Sequence, residues 1–158
     1  MRVEYINPFV ESTFGILSEV IGTEVKRGEI YLKPTTMAIQ GVAALVGLAG
    51  DVEGRVLFDM TKETALYVAG AMNQEEFTAL DDLAKATIQE LANMVTAQAV
   101  TKLHDLGFKF DLTPPALFTG DNMEVATNLG EVEALIVPMM FGPGNRIEVN
   151  VAVRERIK

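Results

Sequence analysis

The chain has 158 residues, 49% hydrophobic and 22% charged, with a net charge of −9. This is the composition of a soluble globular protein with one sizeable core, and its acidity argues against nucleic acid, which needs clustered Lys and Arg. Cysteine is absent and His104 is the single histidine, which excludes disulfides, thiol nucleophiles and thiolate or histidine-rich metal sites. The opening stretch MRVEYINPFVESTFG lacks the apolar core of a signal peptide. The most apolar run, residues 41–50, is about half of the ~20 residues that span a bilayer. Neither export nor membrane insertion is expected, and the chain reads as cytoplasmic.

Asn7 as N-cap and Pro8 in the first turn predict a helix that stops at Gly22. Its apolar side would carry Phe9, Phe14, Ile16, Leu17, Val20 and Ile21. Residues 23–32, 35–49 and 52–58 are rich in β-branched types, and Gly50-Asp51 is a plausible hairpin turn between the last two. Helical spacing returns over 62–72 through Leu66, Val68 and Met72. A longer helix is predicted over 80–106, favoured at its start by Asp81 and Asp82 and ended by Gly107. The loop Thr113-Pro114-Pro115 follows. Residues 132–141, a Gly-Pro-Gly-Asn turn and residues 146–153 predict a hairpin. In its second strand Ile147, Val149, Val151 and Val153 alternate with polar or small residues, so that one face is buried. No linker interrupts the sequence. The reading is one α/β (α+β) domain over 1–158, with helices packed on a mostly antiparallel sheet.

The long helix has two unlike sides. At about 100° per residue, Ala84, Ile88, Leu91, Val95, Ala99 and Leu106 gather on one. Ala86, Glu90, Asn93 and Ala97 line the other, at the spacing that stacks neighbouring turns. Glu90 and Asn93 are thus adjacent and flanked by side chains too small to shield them. On spacing alone they would be taken as residues that solvate a surface helix.

The wider sequence changes that weighting. In proteins of the CheC/CheX/FliY family the phosphatase helix carries [Asp/Ser]-x3-Glu-x2-Asn, with a proline beyond the helix. Glu90-Leu91-Ala92-Asn93 supplies Glu-x2-Asn, and Pro114-Pro115 falls at the proline position. The stretches 87–94 and 111–115, and Glu63-Thr64-Ala65-Leu66, also resemble the CheX branch of that family. One copy of the motif is present, as in CheX, whereas CheC-like chains typically carry two. Residues 7–22 have Glu11 and Glu19 but no asparagine at the matching offset. Ala86 departs from the pattern, standing where the family has Asp or Ser.

The resemblance implies a CheC/CheX-like fold and a phosphatase acting on the aspartyl phosphate of a CheY-like response regulator. Asn93 would orient the attacking water and Glu90 would anchor the partner through its active-site lysine. No cofactor belongs to this chain in that scheme; Mg²⁺ arrives with the phosphorylated regulator. The resemblance also implies a homodimer whose sheets join, and the apolar C-terminal strands are expected to leave an exposed edge in a monomer. The alternative left open by Ala86 is a non-catalytic module that binds a response regulator or a flagellar-switch component. His104, near Asp105, reads as surface decoration. The glycines of 41–54 read as strand and turn glycines, since no Gly-Lys-Ser/Thr ending of a phosphate loop follows. Met139, Met140 and Phe141 read as core or interface packing, and Asp81, Asp82, Asp111 and Asp121 show no metal spacing.

Overall fold

The computed structural model describes residues 3–34, 37–125 and 133–156. In chain order it contains α1 (Val3–Ile21), β1 (Val25–Arg27), β2 (Tyr31–Pro34), β3 (Met37–Ala38), β4 (Val42–Gly50), β5 (Val52–Met60) and α2 (Lys62–Asn73). These are followed by α3 (Asp82–Asp105), β6 (Phe110–Leu112), β7 (Ala116–Thr119), β8 (Glu124–Val125), β9 (Glu133–Phe141) and β10 (Asn145–Glu155).

Helix α1 does not begin at Asn7-Pro8 as expected, and Pro8 lies inside it. The residues before it explain why. Tyr5 and Ile6 are buried on the same side as Phe9 and Val10, and the Tyr5 ring meets Phe108 edge-on at 5.0 Å. Burying two such side chains contributes roughly 3–6 kcal/mol, which matches or exceeds the ~3 kcal/mol cost of an interior proline. Of the expected apolar side, Phe9, Ile16, Leu17 and Ile21 are buried, whereas Phe14 is exposed beneath the Arg27 guanidinium, 5.7 Å from its ring centre.

The expected strand over 23–32 is broken into β1 and β2, which pair with successive stretches of β9. Pro138 of β9 causes the break, since it has no N–H to offer the neighbouring strand. Only its carbonyl is used, by Gly28 N at 2.8 Å. A Cβ on Gly28 would come within 3.0 Å of Pro138 Cγ and Met140 Cε, so a larger residue here would require those side chains to shift. The expected strand over 35–49 is resolved into β3 and β4, with Thr35 and Thr36 outside the described residues. The Gly50-Asp51 turn joins β4 to β5 as expected. The hairpin expected over 132–141 and 146–153 is β9–β10, with Val132 outside the described residues.

The main sheet runs β1-β9-β10-β5-β4-β6, with β2 joining β9 and β7 joining β4, and every pairing in it is antiparallel. The C-terminal strand is therefore interior, flanked by β5 and β9. The expectation that the C-terminal strands expose an edge is corrected: the edges are β1/β2 and β6/β7. Strand β10 sends Ile147, Val149, Val151 and Val153 into the main core with α1, α2 and α3. Its other face, with Glu148, Asn150 and Ala152, is buried as well, which period-2 alternation did not foretell. On that face Arg55 Nη1 donates to Asn150 Oδ1 at 2.7 Å and Tyr31 Oη donates to Glu148 Oε1 at 2.6 Å.

Candidate functional site

Helix α3 is fixed from its start. Asp81 caps it, Oδ1 accepting from Ala84 N at 2.8 Å, as its carboxylate at the positive end of the helix dipole favours. Asn73 Nδ2, at the end of α2, donates to Thr87 Oγ1 at 2.8 Å, and Thr87 Oγ1 donates to Leu83 O at 2.7 Å. Ala84, Ile88, Leu91, Val95 and Ala99 are buried as expected. Leu106 is not: it is the C-cap residue and is 59% exposed. The helical path ends before it, and Leu103, four residues after Ala99, continues the buried ridge instead.

With that face locked in the core, the opposite one is set. Ala86, Glu90, Asn93 and Ala97 are all exposed. Among the described residues, no hydrogen bond or ion pair occupies the Glu90 carboxylate or the Asn93 carboxamide. A free carboxylate and a free carboxamide thus stand one turn apart on a rigid helix. The absence of a native partner is what a docking contact needs, since neither group must break an existing bond to meet a ligand.

The Thr113-Pro114-Pro115 loop runs beside this stripe. Gln89 Nε2 donates to Pro115 O at 3.1 Å. Thr113 is tied to β4 twice, Gly47 N donating to Thr113 Oγ1 at 2.7 Å and Thr113 N donating to Gly47 O at 3.0 Å. Motif, proline loop and helix are therefore brought together. Sequence reasoning missed Gln89, because a glutamine beside an exposed stripe carries no pattern of its own. The surface concavities lined by Lys26 and Arg146, and by Ile21, Tyr67 and Phe77, hold neither Glu90 nor Asn93. A convex helix face of this kind suits a macromolecular partner better than a small molecule, which needs a cleft.

The remaining candidates lie elsewhere. His104 is exposed and packs its ring edge-on to Phe110 at 5.4 Å. Met139 and Phe141 are buried, and Phe141 lies 5.9 Å from the Tyr67 ring. Gly54 and Gly50 are strand glycines at close approaches, where a Cβ would come within 2.0 Å of Ala152 O and 2.5 Å of Phe110 Cα respectively. Among the described residues no group of three or more His, Cys, Asp or Glu could hold a metal ion. No described helix is long and apolar enough to cross a membrane.

Comparison with known proteins bears on this site. A family model described as chemotaxis phosphatase CheX matches residues 42–140, a span that contains all of α3 and the proline loop. A CheY-P phosphatase CheX from Thermotoga maritima is 32% identical over 130 residues, covering 79% of this chain and 81% of that one. A chain in the crystal structure of a CheX–CheY–BeF3–Mg complex from Borrelia burgdorferi is 42% identical and superposes with a TM-score of 0.85, covering 98% of this chain and 100% of that one. A CheC-like superfamily protein from a Shewanella species is 27% identical with a TM-score of 0.83, covering 98% and 99%.

Proposed function

The chain belongs to the family of the chemotaxis phosphatase CheX, and from that premise we propose that it hydrolyses the aspartyl phosphate of a CheY-like response regulator. The observation that carries this reading is the pair of exposed, unpartnered side chains Glu90 and Asn93 on the outward stripe of α3.

A phosphorylated regulator holds Mg²⁺ and a lysine against its phosphoryl oxygens, so much of the charge stabilisation is already in place. What it lacks is a water held in line with phosphorus, and positioning is the major term in phosphoryl transfer. The Asn93 carboxamide is suited to holding that water. It is neutral, so phosphate does not repel it, and it both donates to and accepts from water. Glu90 pairs with the regulator's lysine in a charge-assisted hydrogen bond and sets the register of docking. The stripe offers a single carboxylate, too few oxygen donors for a metal of its own, and in this reading Mg²⁺ comes with the regulator. The related Borrelia complex contains CheY, BeF3 and Mg.

The chain is also read as a homodimer. Support comes from the β2 edge, where Leu32 and the preceding Ile30 are 58% and 57% exposed at a strand that, among the described residues, pairs only with β9. A second reading, a binding module without turnover, is favoured by Ala86, which offers no polar group one turn before Glu90. The two readings separate in one assay, the decay of a phosphorylated CheY-like regulator with and without the purified protein. Wild type accelerates decay and Asn93→Ala loses about 10²–10³-fold of that acceleration, as expected for a preorganised polar group acting in the transition state. Decay unchanged by wild type across several regulators would overturn the phosphatase reading and leave the binding module.

A further inference from the structure

Gln89 lies one residue before Glu90 and one helical turn before Asn93, half-buried at the flank of the stripe. At 100° per residue it is about 40° from Asn93 and about 100° from Glu90 around the helix axis. Whatever Gln89 holds therefore stands on the Asn93 side. What it holds is Pro115 O, at 3.1 Å.

That bond matters because of the sequence it grips. Pro114 and Pro115 have no N–H, so the middle of the loop has no backbone donors with which to fasten itself. It can be tied only through its carbonyls and through the residues that flank it. Thr113 is fixed on one side by its two bonds to Gly47; on the other, Ala116 pairs with Leu45 of β4 and Gln89 holds the Pro115 carbonyl itself. Pro114 stands exposed between the two ties. The result is a rigid apolar ridge along the Asn93 flank of a helix whose Glu90 lies on the other flank.

We infer that Gln89 is a positioning residue for the reaction proposed above, holding the Pro114–Pro115 ridge as a wall of the regulator's docking site. The assignment rests on that reading of the function. The physical need is orientational. One ion pair at Glu90 leaves the docked regulator free to swivel, and a misplacement of about 1 Å at the phosphorus can cost two orders of magnitude in rate. A second, fixed contact on the Asn93 side removes the swivel. A carboxamide makes the tie without adding charge beside a dianionic phosphoryl group.

The test compares wild type, Gln89→Met, which keeps the shape without a donor, and Gln89→Lys, which restores a donor at similar reach. Three quantities are read: hydrogen exchange of the amides of Thr113, Ala116 and Leu117, the regulator concentration at half-maximal dephosphorylation, and affinity for a CheY-like regulator loaded with BeF3⁻ and Mg²⁺. Gln89→Met is expected to speed exchange in the loop and to raise the half-saturating concentration and Kd by about three- to tenfold, the effect of losing one neutral hydrogen bond. Its kcat should fall as well, because a regulator free to swivel holds its phosphorus less well in line, while its melting temperature stays near wild type, and Gln89→Lys should recover loop protection. A merely structural glutamine would move the melting temperature and leave the split between KM and kcat unchanged. Wild-type exchange and affinity in Gln89→Met would overturn the inference even if the phosphatase reading stands. If wild type binds the loaded regulator without hydrolysing the phosphorylated form, the phosphatase reading falls, while the Kd of Gln89→Met still decides whether the ridge is a docking wall. Binding to no regulator would overturn both.

Discussion

Replacing Asp59 by asparagine should stabilise the protein at neutral pH and flatten part of its pH dependence. Asp59 is fully buried on β5 and lies directly opposite Glu148 across the β5–β10 ladder. Burial pushes its carboxyl up to about 6, and the nearby Glu148 charge adds to the rise, while the bonds from Gln40 and the Lys33 charge oppose it. Against the ordinary 3.8 this is a rise of about 2 units, or at most about 3 kcal/mol of resistance to ionisation in the folded state. Because the folded value lies above the unfolded one, the stabilising contribution is complete below about pH 4. It is lost as pH rises through 6, so above about pH 7 the folded protein carries an unfavourable buried charge. Asparagine keeps an oxygen to accept from Gln40 N, the bond Asp59 makes at 2.9 Å, and carries no charge. After a discount for solvent screening and for a weaker acceptor, Asp59→Asn should gain about 1–2 kcal/mol at pH 8, roughly 2–8 °C for a chain of this size. The assay is thermal unfolding of both proteins from pH 4 to pH 8, with the difference between them plotted against pH. That difference should be near zero at pH 4 and grow through pH 6. A constant difference, or an Asp59→Asn protein less stable at pH 8, would refute the reasoning.

Other outcomes follow from the stripe and from the sheet edge. Glu90→Ala should weaken binding to the phosphorylated regulator and Glu90→Lys should weaken it further, with the melting temperature barely changed because the residue is exposed; a large fall in melting temperature with unchanged binding would assign it a structural role. Ala86→Ser, one turn before Glu90, should raise catalytic efficiency by up to roughly tenfold, the worth of about 1.4 kcal/mol, as measured by regulator dephosphorylation with Asn93→Ala as the blank. Leu32→Lys should convert a dimer to a monomer by light scattering at micromolar concentration, and a wild-type protein already monomeric there would remove the dimer.

The parts of this protein legible in its sequence are those where one physical signal acts alone. Helix α3 was readable because Asp81 caps it, Gly107 ends it and its apolar residues recur at one spacing. The exposure of Ala86, Glu90, Asn93 and Ala97 followed from the same periodicity. Where two signals competed, the local one misled. Pro8 marked a helix start by its backbone chemistry, but the burial of Tyr5 and Ile6 carried the helix past it. The split between β1 and β2 originates in Pro138, more than a hundred residues away in sequence, and no window around Gly28 contains it. Strands β6 and β7 are three and four residues long, too short to show a period. Gln89 was invisible for a related reason, since its meaning depends on a loop that returns to it only in the folded chain.

The break that Pro138 imposes on the sheet edge also limits how far the sheet can grow. An unbroken edge offers every backbone group to an incoming strand, and copies that add head to tail can then propagate into a fibre. Here the outer edge changes course at Gly28, between a three-residue strand and a four-residue strand. An incoming strand meets one short run of donors and acceptors and then loses register. In the dimer proposed above, two copies that paired along so short a segment about a twofold axis would cover this edge on both and leave none of it to extend. In that dimer, one proline in the neighbouring strand would end the growth of the sheet on this side.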